Sequence, residues 1–126
     1  MRAVDTNVVV RLIARDDPRQ TREAEEFISE GAWVSNLVLA ESVWVLESVY
    51  ELTRAQVRTA ISMLLEHRQL VLQEADTVRE ALADFSAKRG VGFTDCLVVA
   101  IARKNGYVPI GTFDKKLSKL SDAQAL

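Results

Sequence analysis

The chain has 126 residues, of which 48% are hydrophobic and 27% are charged. This length suits a single domain over residues 1–126, and the composition is that of a globular protein rather than a disordered one. The net charge of −2 provides no bulk positive field, so a polyanionic ligand would need local cations or a bound metal ion. No apolar run is long enough for a bilayer, and no signal-peptide pattern is present, which predicts a cytoplasmic protein without membrane association.

The predicted elements alternate between short strands and helices. A strand ends at about Val4, a helix follows Asp5, and Asp17-Pro18 begins a second helix that Gly31 ends. Further strands are predicted at residues 32–34, 70–72 and 108–111, and further helices at residues 37–50, 53–67, 76–87, 94–105 and from 113 onward. Residues 121–126 give little support for a final strand. This alternation predicts an α/β protein with a parallel sheet and helices on both faces.

Four carboxylates lie at or near the starts of predicted helices, and two of the three aspartates follow directly after a strand. Asp5, Asp95 and Asp114 each open a predicted helix, and Glu41 lies one turn into the helix after strand 32–34. The ends of parallel strands that lead into helices share one edge of a sheet, so these acids could converge there. Taken singly, each Asp is better explained by a structural role, as a helix cap or a favourable charge in a first turn.

Glu41 has a different neighbourhood. Its helical neighbours at three and four positions, Leu37, Val38, Trp44 and Val45, are all apolar. A carboxylate on a buried stripe needs a partner, so Glu41 is predicted either to ligate an ion or to form a salt bridge, unless the stripe lies one position away.

An all-oxygen cluster with few histidines favours Mg²⁺ or Mn²⁺ over zinc. Cys96 and His67 are the only residues of their types, which argues against a disulfide and a zinc cage. A metal ion in an acidic pocket would reverse the charge of the pocket, so that Arg11, Lys115 and Lys116 could hold flanking phosphates of a nucleic acid. For each of these three cations a solvated surface is the simpler interpretation.

Four segments together resemble the PIN-domain family, and by length and order the VapC-type toxins of toxin–antitoxin systems. They are Val4-Asp5-Thr6-Asn7-Val8, Glu41, Gly92-Phe93-Thr94-Asp95-Cys96-Leu97, and Thr112-Phe113-Asp114. The resemblance covers essentially the whole chain. It implies a three-layer α/β/α sandwich with a central, mostly parallel sheet, and an Mg²⁺- or Mn²⁺-dependent endoribonuclease that hydrolyses RNA with metal-activated water.

The resemblance also implies particular residue roles and partners. Asp5 and Asp95 correspond to the principal metal ligands, and Glu41 and Asp114 complete the catalytic and metal-binding quartet. Asn7 and Thr112 correspond to groups that orient carboxylates or water. Members of the family typically form homodimers and bind a cognate VapB-like antitoxin protein.

Three other aromatic or reactive side chains are assigned structural roles. Trp33 and Trp44 are predicted core residues rather than platforms for stacking bases. Cys96 is predicted to be a small buried core residue. His67 is predicted near a helix C-terminus, where solvation or the helix dipole accounts for it.

Two other functions are open at this point. A catalytically silent PIN-like domain could serve as a binding or regulatory partner. A receiver-type phosphoacceptor domain also places aspartates around Mg²⁺, but it needs paired acids after the first strand and an aspartate on a middle strand. The pair Asp16-Asp17 instead precedes a proline, and strand 70–72 has no aspartate.

Overall fold

The computed structural model describes residues 1–126, and its internal contacts divide the chain into two compact units, residues 1–75 and 76–126. The elements of the first unit are β1 (Arg2–Ala3), α1 (Thr6–Ala14), α2 (Pro18–Phe27), β2 (Ala32–Val34), α3 (Asn36–Ser48), α4 (Arg54–Glu66) and β3 (Leu70–Leu72). Its three strands form a parallel sheet in the order β1-β2-β3. The expected α/β class with a parallel sheet is therefore confirmed.

Side-chain caps explain where the helices of the first unit begin. Asp5, Asp17, Ser35 and Thr53 each accept a hydrogen bond from a backbone N–H in the first turn of α1, α2, α3 and α4. Such a bond satisfies one of the donors that a helix start leaves without a partner inside the helix. The cap at Asp5 explains why the valine-rich segment after it forms a helix rather than a strand.

The core of the first unit joins three helices. Val10 of α1, Leu46 of α3 and Ala60 of α4 are buried against one another, and the partly buried Ile13 and Leu52 pack around them. On the sheet, Ala32 and Val34 are fully buried because alternate residues of a strand point to the same face.

The second unit contains α5 (Ala75–Ala87), α6 (Phe93–Lys104), β4 (Ile110–Thr112), a 3-10 helix (Leu117–Lys119) and β5 (Ala123–Ala125). The strands β4 and β5 pair in parallel, so the weakly supported final strand exists. Phe85 and Phe93 meet edge to face, with ring centroids 5.9 Å apart, and both are buried. This geometry is favourable for aromatic rings and links α5 to the start of α6.

Arg103 of α6 joins three parts of the second unit. Its Nε donates to the carboxylate of Asp122 at 2.8 Å, and its Nη1 lies 3.8 Å from Asp84 and 3.9 Å from Glu80 on α5. The carbonyl oxygen of Asp122 in turn accepts a hydrogen bond from the N–H of Ile110 at 2.8 Å. Asp122 therefore connects the start of β4 to α6 by hydrogen bonds.

The prediction of Trp33 and Trp44 as core residues was wrong. Trp33 is 37% exposed, because it lies between two inward-pointing residues of β2 and points to the other face of the sheet. Trp44 is 66% exposed, because α3 buries a different stripe that contains Leu39, Val43 and Leu46. Cys96 is buried and His67 ends α4, as predicted. None of the helices combines the length and the apolar composition that a membrane crossing requires.

Candidate active site

The carboxyl edge of the three-stranded sheet carries several polar side chains. Asp5 follows β1, Asn36 follows β2 and Gln73 follows β3, and because the strands are parallel their ends meet at the same edge. The backbone N–H of Asn36 donates to the Gln73 side-chain oxygen at 2.8 Å. The Oδ1 atom of Asn36 is buried and makes no hydrogen bond within the protein. A buried acceptor of this kind normally has a partner, which makes the edge a place to expect a ligand or water.

Asp5 uses one of its two carboxylate oxygens as a helix cap. Its Oδ1 accepts a hydrogen bond from the backbone N–H of Val8 at 3.1 Å, at the start of α1. Asp5 is exposed, and no other hydrogen bond to its side chain is formed. The cap interpretation and the ligand interpretation are therefore compatible, because Oδ2 remains available.

The expectation that Glu41 lies on a buried apolar stripe was wrong. Glu41 is exposed on α3, and it forms no ion pair. Its neighbours Leu37 and Trp44 are apolar but are themselves 69% and 66% exposed. The helix is apolar on two sides, and Glu41 belongs to the side that the first unit does not bury.

In the second unit the side chains of Asp95 and Asp114 interact electrostatically. Asp95 lies half-buried in the first turn of α6, whose N-cap, Gly92, has no side chain to cap the helix. Burial raises the pKa of the Asp95 carboxyl above its ordinary value, and the negative charge of Asp114 raises it further. A cation bound beside the two side chains would offset the unfavourable effect of Asp114 on the charge of Asp95.

Backbone hydrogen bonds hold Asp114 in a turn after β4. Its Oδ1 accepts from the N–H groups of Lys116 at 2.8 Å and Leu117 at 3.3 Å, and its own N–H donates to the Thr112 hydroxyl at 2.9 Å. Thr112 therefore contacts the backbone of Asp114 rather than its carboxylate. Its action is to fix the turn that presents Asp114.

The carboxylate donors of the candidate site suit a hard cation. Carboxylate oxygens are the ligands that Mg²⁺ and Mn²⁺ prefer, and Asp95 and Asp114 provide two such groups near each other. No group of three or more His, Cys, Asp or Glu side chains is arranged so that it could hold a metal ion. The chemistry of the ligands thus fits the ion, whereas a complete coordination sphere is not formed.

The three predicted RNA-binding cations have different surroundings. Lys115 and Lys116 are exposed, and neither forms an ion pair. Arg11 is three-quarters buried, with its side chain 25% exposed, and it forms a network with Asp16, Gln20 and Tyr50. For Arg11 the solvated-surface interpretation is therefore wrong.

The network around Arg11 contains residues that the sequence analysis did not select. The Nε of Arg11 donates to the Gln20 oxygen at 2.7 Å, and Nη1 donates to the Asp16 carboxylate at 3.1 Å and to the Tyr50 hydroxyl at 2.8 Å. Tyr50 in turn donates to Asp16 at 2.8 Å, and this bond lowers the pKa of the Asp16 carboxyl. Tyr50 is 39 positions from Arg11, so no local pattern could have indicated their contact.

Comparisons with known proteins identify the family. The model of the PIN domain matches residues 2–123. The chain belongs to the PIN-domain family. Among relatives of this PIN-domain chain, a protein named VapC ribonuclease from Aquifex aeolicus (strain VF5) is 26% identical over 125 residues, which are 95% of this chain and 92% of that protein. No solved structure gives a significant match.

Proposed function

We propose that this PIN-domain chain is an endoribonuclease that hydrolyses RNA phosphodiester bonds with the help of Mg²⁺ or Mn²⁺. The observation that carries the proposal is the Asp95–Asp114 pair, in which the half-buried Asp95 in the first turn of α6 lies near the negative charge of Asp114 in the turn after β4. The family match over residues 2–123 and the relative named VapC ribonuclease support the same reaction class.

We assign the catalytic and metal-binding roles to Asp5, Glu41, Asp95 and Asp114. A divalent ion held by carboxylates of this set would activate a water and neutralise charge on the scissile phosphate. Backbone hydrogen bonds of the chain fix the orientation of two of these carboxylates. Two backbone N–H groups donate to Oδ1 of Asp114, and the N–H of Val8 donates to Asp5. Thr112 positions the turn of Asp114, and Asn7, two residues after Asp5, is assigned to orient a carboxylate or water.

The RNA-binding assignment rests on exposed cations. Lys115 and Lys116 follow Asp114 directly and form no ion pair, so they are free to contact phosphates near the cleaved bond. Such contacts position the RNA without reading its sequence. Arg11 is not assigned to phosphate contacts, because hydrogen bonds to Gln20, Asp16 and Tyr50 use most of its donors.

We further propose that the chain is the cytoplasmic toxin of a type II toxin–antitoxin pair, forms a homodimer and binds a VapB-type antitoxin. The VapC name of the relative suggests the pairing. Leu37 and Trp44 on α3 offer exposed apolar area of the kind that protein interfaces cover. Coexpression with a VapB-type antitoxin should restore growth that the chain alone inhibits, and size-exclusion chromatography with light scattering should give twice the 14.0 kDa chain mass.

Cleavage of RNA tests the central proposal. The purified chain should cut structured RNA with Mg²⁺ or Mn²⁺, leaving a 5′-phosphate and a 3′-hydroxyl, and EDTA should stop the reaction. Activity that survives both EDTA and the Asp95→Asn substitution would refute the mechanism. The matched control is Asp76→Asn, because Asp76 is also a first-turn aspartate but is almost fully exposed.

The second candidate is a catalytically silent PIN-domain partner protein. The absence of a group of three or more suitable ligands favours this alternative. Isothermal titration with Mn²⁺ separates the two candidates, because the nuclease should bind the ion and lose that binding in Asp5→Asn. A silent domain should show no binding that this substitution removes.

A further inference from the structure

A cavity of about 530 Å³ lies beside Asp5 in the first unit, and residues of α1 and α2 line it. This volume is within the range of small-molecule sites, roughly 300–1,000 Å³. Asp5 is one of the lining residues, so a group in the cavity would lie next to a proposed catalytic carboxylate.

One part of the cavity wall is apolar. Val8 of α1 and Ala24 and Phe27 of α2 contribute it. The guanidinium of Arg2 lies 3.8 Å from the centroid of the Phe27 ring and donates to the Phe27 carbonyl oxygen at 2.8 Å. These contacts fix the ring, which gives the cavity a preformed aromatic element.

The polar part of the wall offers both donors and acceptors. The Nε and Nη1 groups of Arg11 donate to Gln20, Asp16 and Tyr50, whereas the Nη2 group makes no hydrogen bond. Gln20 uses only its oxygen in this network, which leaves its amide N–H groups. Glu23 accepts from Arg19 at one oxygen, at 3.0 Å, and the other oxygen is free.

The charges of the cavity disfavour a phosphate. Asp5 and Glu23 are both acidic, and the charge of Arg11 is already balanced by Asp16 at 3.1 Å. A phosphate in the cavity would be repelled by the carboxylates of Asp5 and Glu23. A flat, neutral ring with donors and acceptors on its edge would meet no such penalty and could pack on the apolar wall.

We propose that this cavity is a subsite for one nucleobase of the RNA, and that guanine is the base its polar groups match. The inference rests on the proposed ribonuclease function, and it adds a sequence preference to that function. Guanine presents the acceptors O6 and N7, which suit the free donors of Arg11 and Gln20. It also presents adjacent N1–H and N2–H donors, which a carboxylate such as Glu23 can accept together. Tyr50 and Asp16 are then positioning residues that hold Arg11.

Binding of mononucleotides tests the subsite without any cleavage step. The 14.0 kDa chain is titrated in EDTA with 5′-GMP, 5′-AMP, 5′-CMP, 5′-UMP, 5′-IMP and inorganic phosphate. Binding is measured from the amide NMR shifts of Asn7, Gln20 and Glu23. 5′-GMP should bind tightest, at least about fivefold tighter than 5′-CMP, which is the low end for a two-bond contact to a base edge. 5′-IMP lacks the 2-amino group and should bind more weakly than 5′-GMP.

Two substitutions on α2 provide the matched comparison. Glu23→Gln should weaken 5′-GMP by about fivefold or more and abolish the difference between 5′-GMP and 5′-IMP. Glu26→Gln removes an exposed carboxylate of the same helix that does not line the cavity, and it should leave both affinities unchanged. Equal binding of all four bases, shifts caused by phosphate alone, or equal effects of the two substitutions would overturn the subsite.

Cleavage mapping separates this inference from the function on which it rests. If the wild-type chain cuts next to guanine and the Glu23→Gln variant cuts without preference for a base, both the subsite and the ribonuclease function are supported. RNA cleavage with no preference for guanine near the cut would overturn the subsite and leave the ribonuclease standing. Selective 5′-GMP binding in a chain that cleaves no RNA with Mg²⁺ or Mn²⁺ would remove the ribonuclease function and support base binding alone.

Discussion

Asp5 and Asp95 both lie at the N-terminal end of a helix, in different units of the chain, and their surroundings differ. Asp5 is exposed, and the N–H of Val8 donates to its carboxylate. Asp95 is half-buried, lies near the negative charge of Asp114 and has a raised pKa. Local structure gains from the capping oxygen of Asp5, whereas the charge of Asp95 costs free energy in its own surroundings.

The comparison shows why a helix-start position alone does not reveal a role. An aspartate that caps a helix is accounted for by stability, and its catalytic use is an addition. An aspartate that is partly desolvated beside a like charge is not accounted for by stability, so function is the better explanation for its presence. Substitution of each should therefore separate stability from activity in different ways.

The largest expected effect is the loss of activity in Asp95→Asn. Removal of a ligand charge should lower the rate of RNA cleavage by about a thousandfold or more, while the fold persists because the amide keeps the size of the side chain. Single-turnover cleavage and circular dichroism measure the two properties. Asp76→Asn should retain the rate, and an equal loss in both variants would show that Asp95 has no special role.

Two substitutions of Asp5 should separate its two roles. Asp5→Asn keeps a capping oxygen and should preserve stability, whereas Asp5→Ala should lower the free energy of unfolding by about 1 kcal/mol. Both should lose cleavage because both remove the charge. Urea denaturation and the RNA assay measure these outcomes, and an active Asp5→Asn variant would reduce Asp5 to a cap.

The pH dependence of stability should also distinguish Asp95. The pKa of the Asp95 carboxyl is raised in the folded state. At a pH where this carboxyl is protonated in both the folded and the unfolded state, it therefore costs no free energy of folding. The cost develops as pH rises from the ordinary aspartate pKa through the raised one. Asp95→Asn should therefore be more stable than the wild type at neutral pH, by less than about 1 kcal/mol because solvent screens a partly exposed group. The difference in Tm should vanish in acid, and a difference independent of pH would exclude charge as its cause.

Asp16 provides the opposite case and the smallest expected effect. The hydrogen bond from Tyr50 lowers its pKa, so its contribution to stability is present above the unfolded-state pKa and is lost as pH falls through the lowered folded value. Tyr50→Phe should lower Tm slightly at neutral pH, and the deficit should close in acid. A deficit that stays constant with pH would assign the effect to packing of the ring instead.

Local signals account for the parts of the fold that the sequence could predict. Caps at Asp5, Asp17 and Thr53 mark helix starts, and strand–helix alternation indicates the parallel sheet. The apolar α3 has no polar face to show which side is buried, so the environments of Trp44 and Glu41 were predicted wrongly.

The candidate site was predictable in its residue types but not in its contacts. The four acids could be selected because they lie at or near the starts of predicted helices. The interaction of Asp95 with Asp114 and the bond between Arg11 and Tyr50 join residues far apart in sequence. Such contacts depend on tertiary packing, which periodicity and capping do not encode.

The ion pair of Arg103 with Asp122 has a consequence for the placement of Asp114. The carbonyl oxygen of Asp122, whose carboxylate accepts from Arg103, accepts a hydrogen bond from the N–H of Ile110, the first residue of β4. Strand β4 ends at Thr112, and the hydroxyl of Thr112 accepts a hydrogen bond from the N–H of Asp114 in the turn that follows. The orientation of a proposed catalytic carboxylate thus depends on a guanidinium that does not contact it. Selection for catalysis would then extend to an arginine whose visible role is to brace the last two strands.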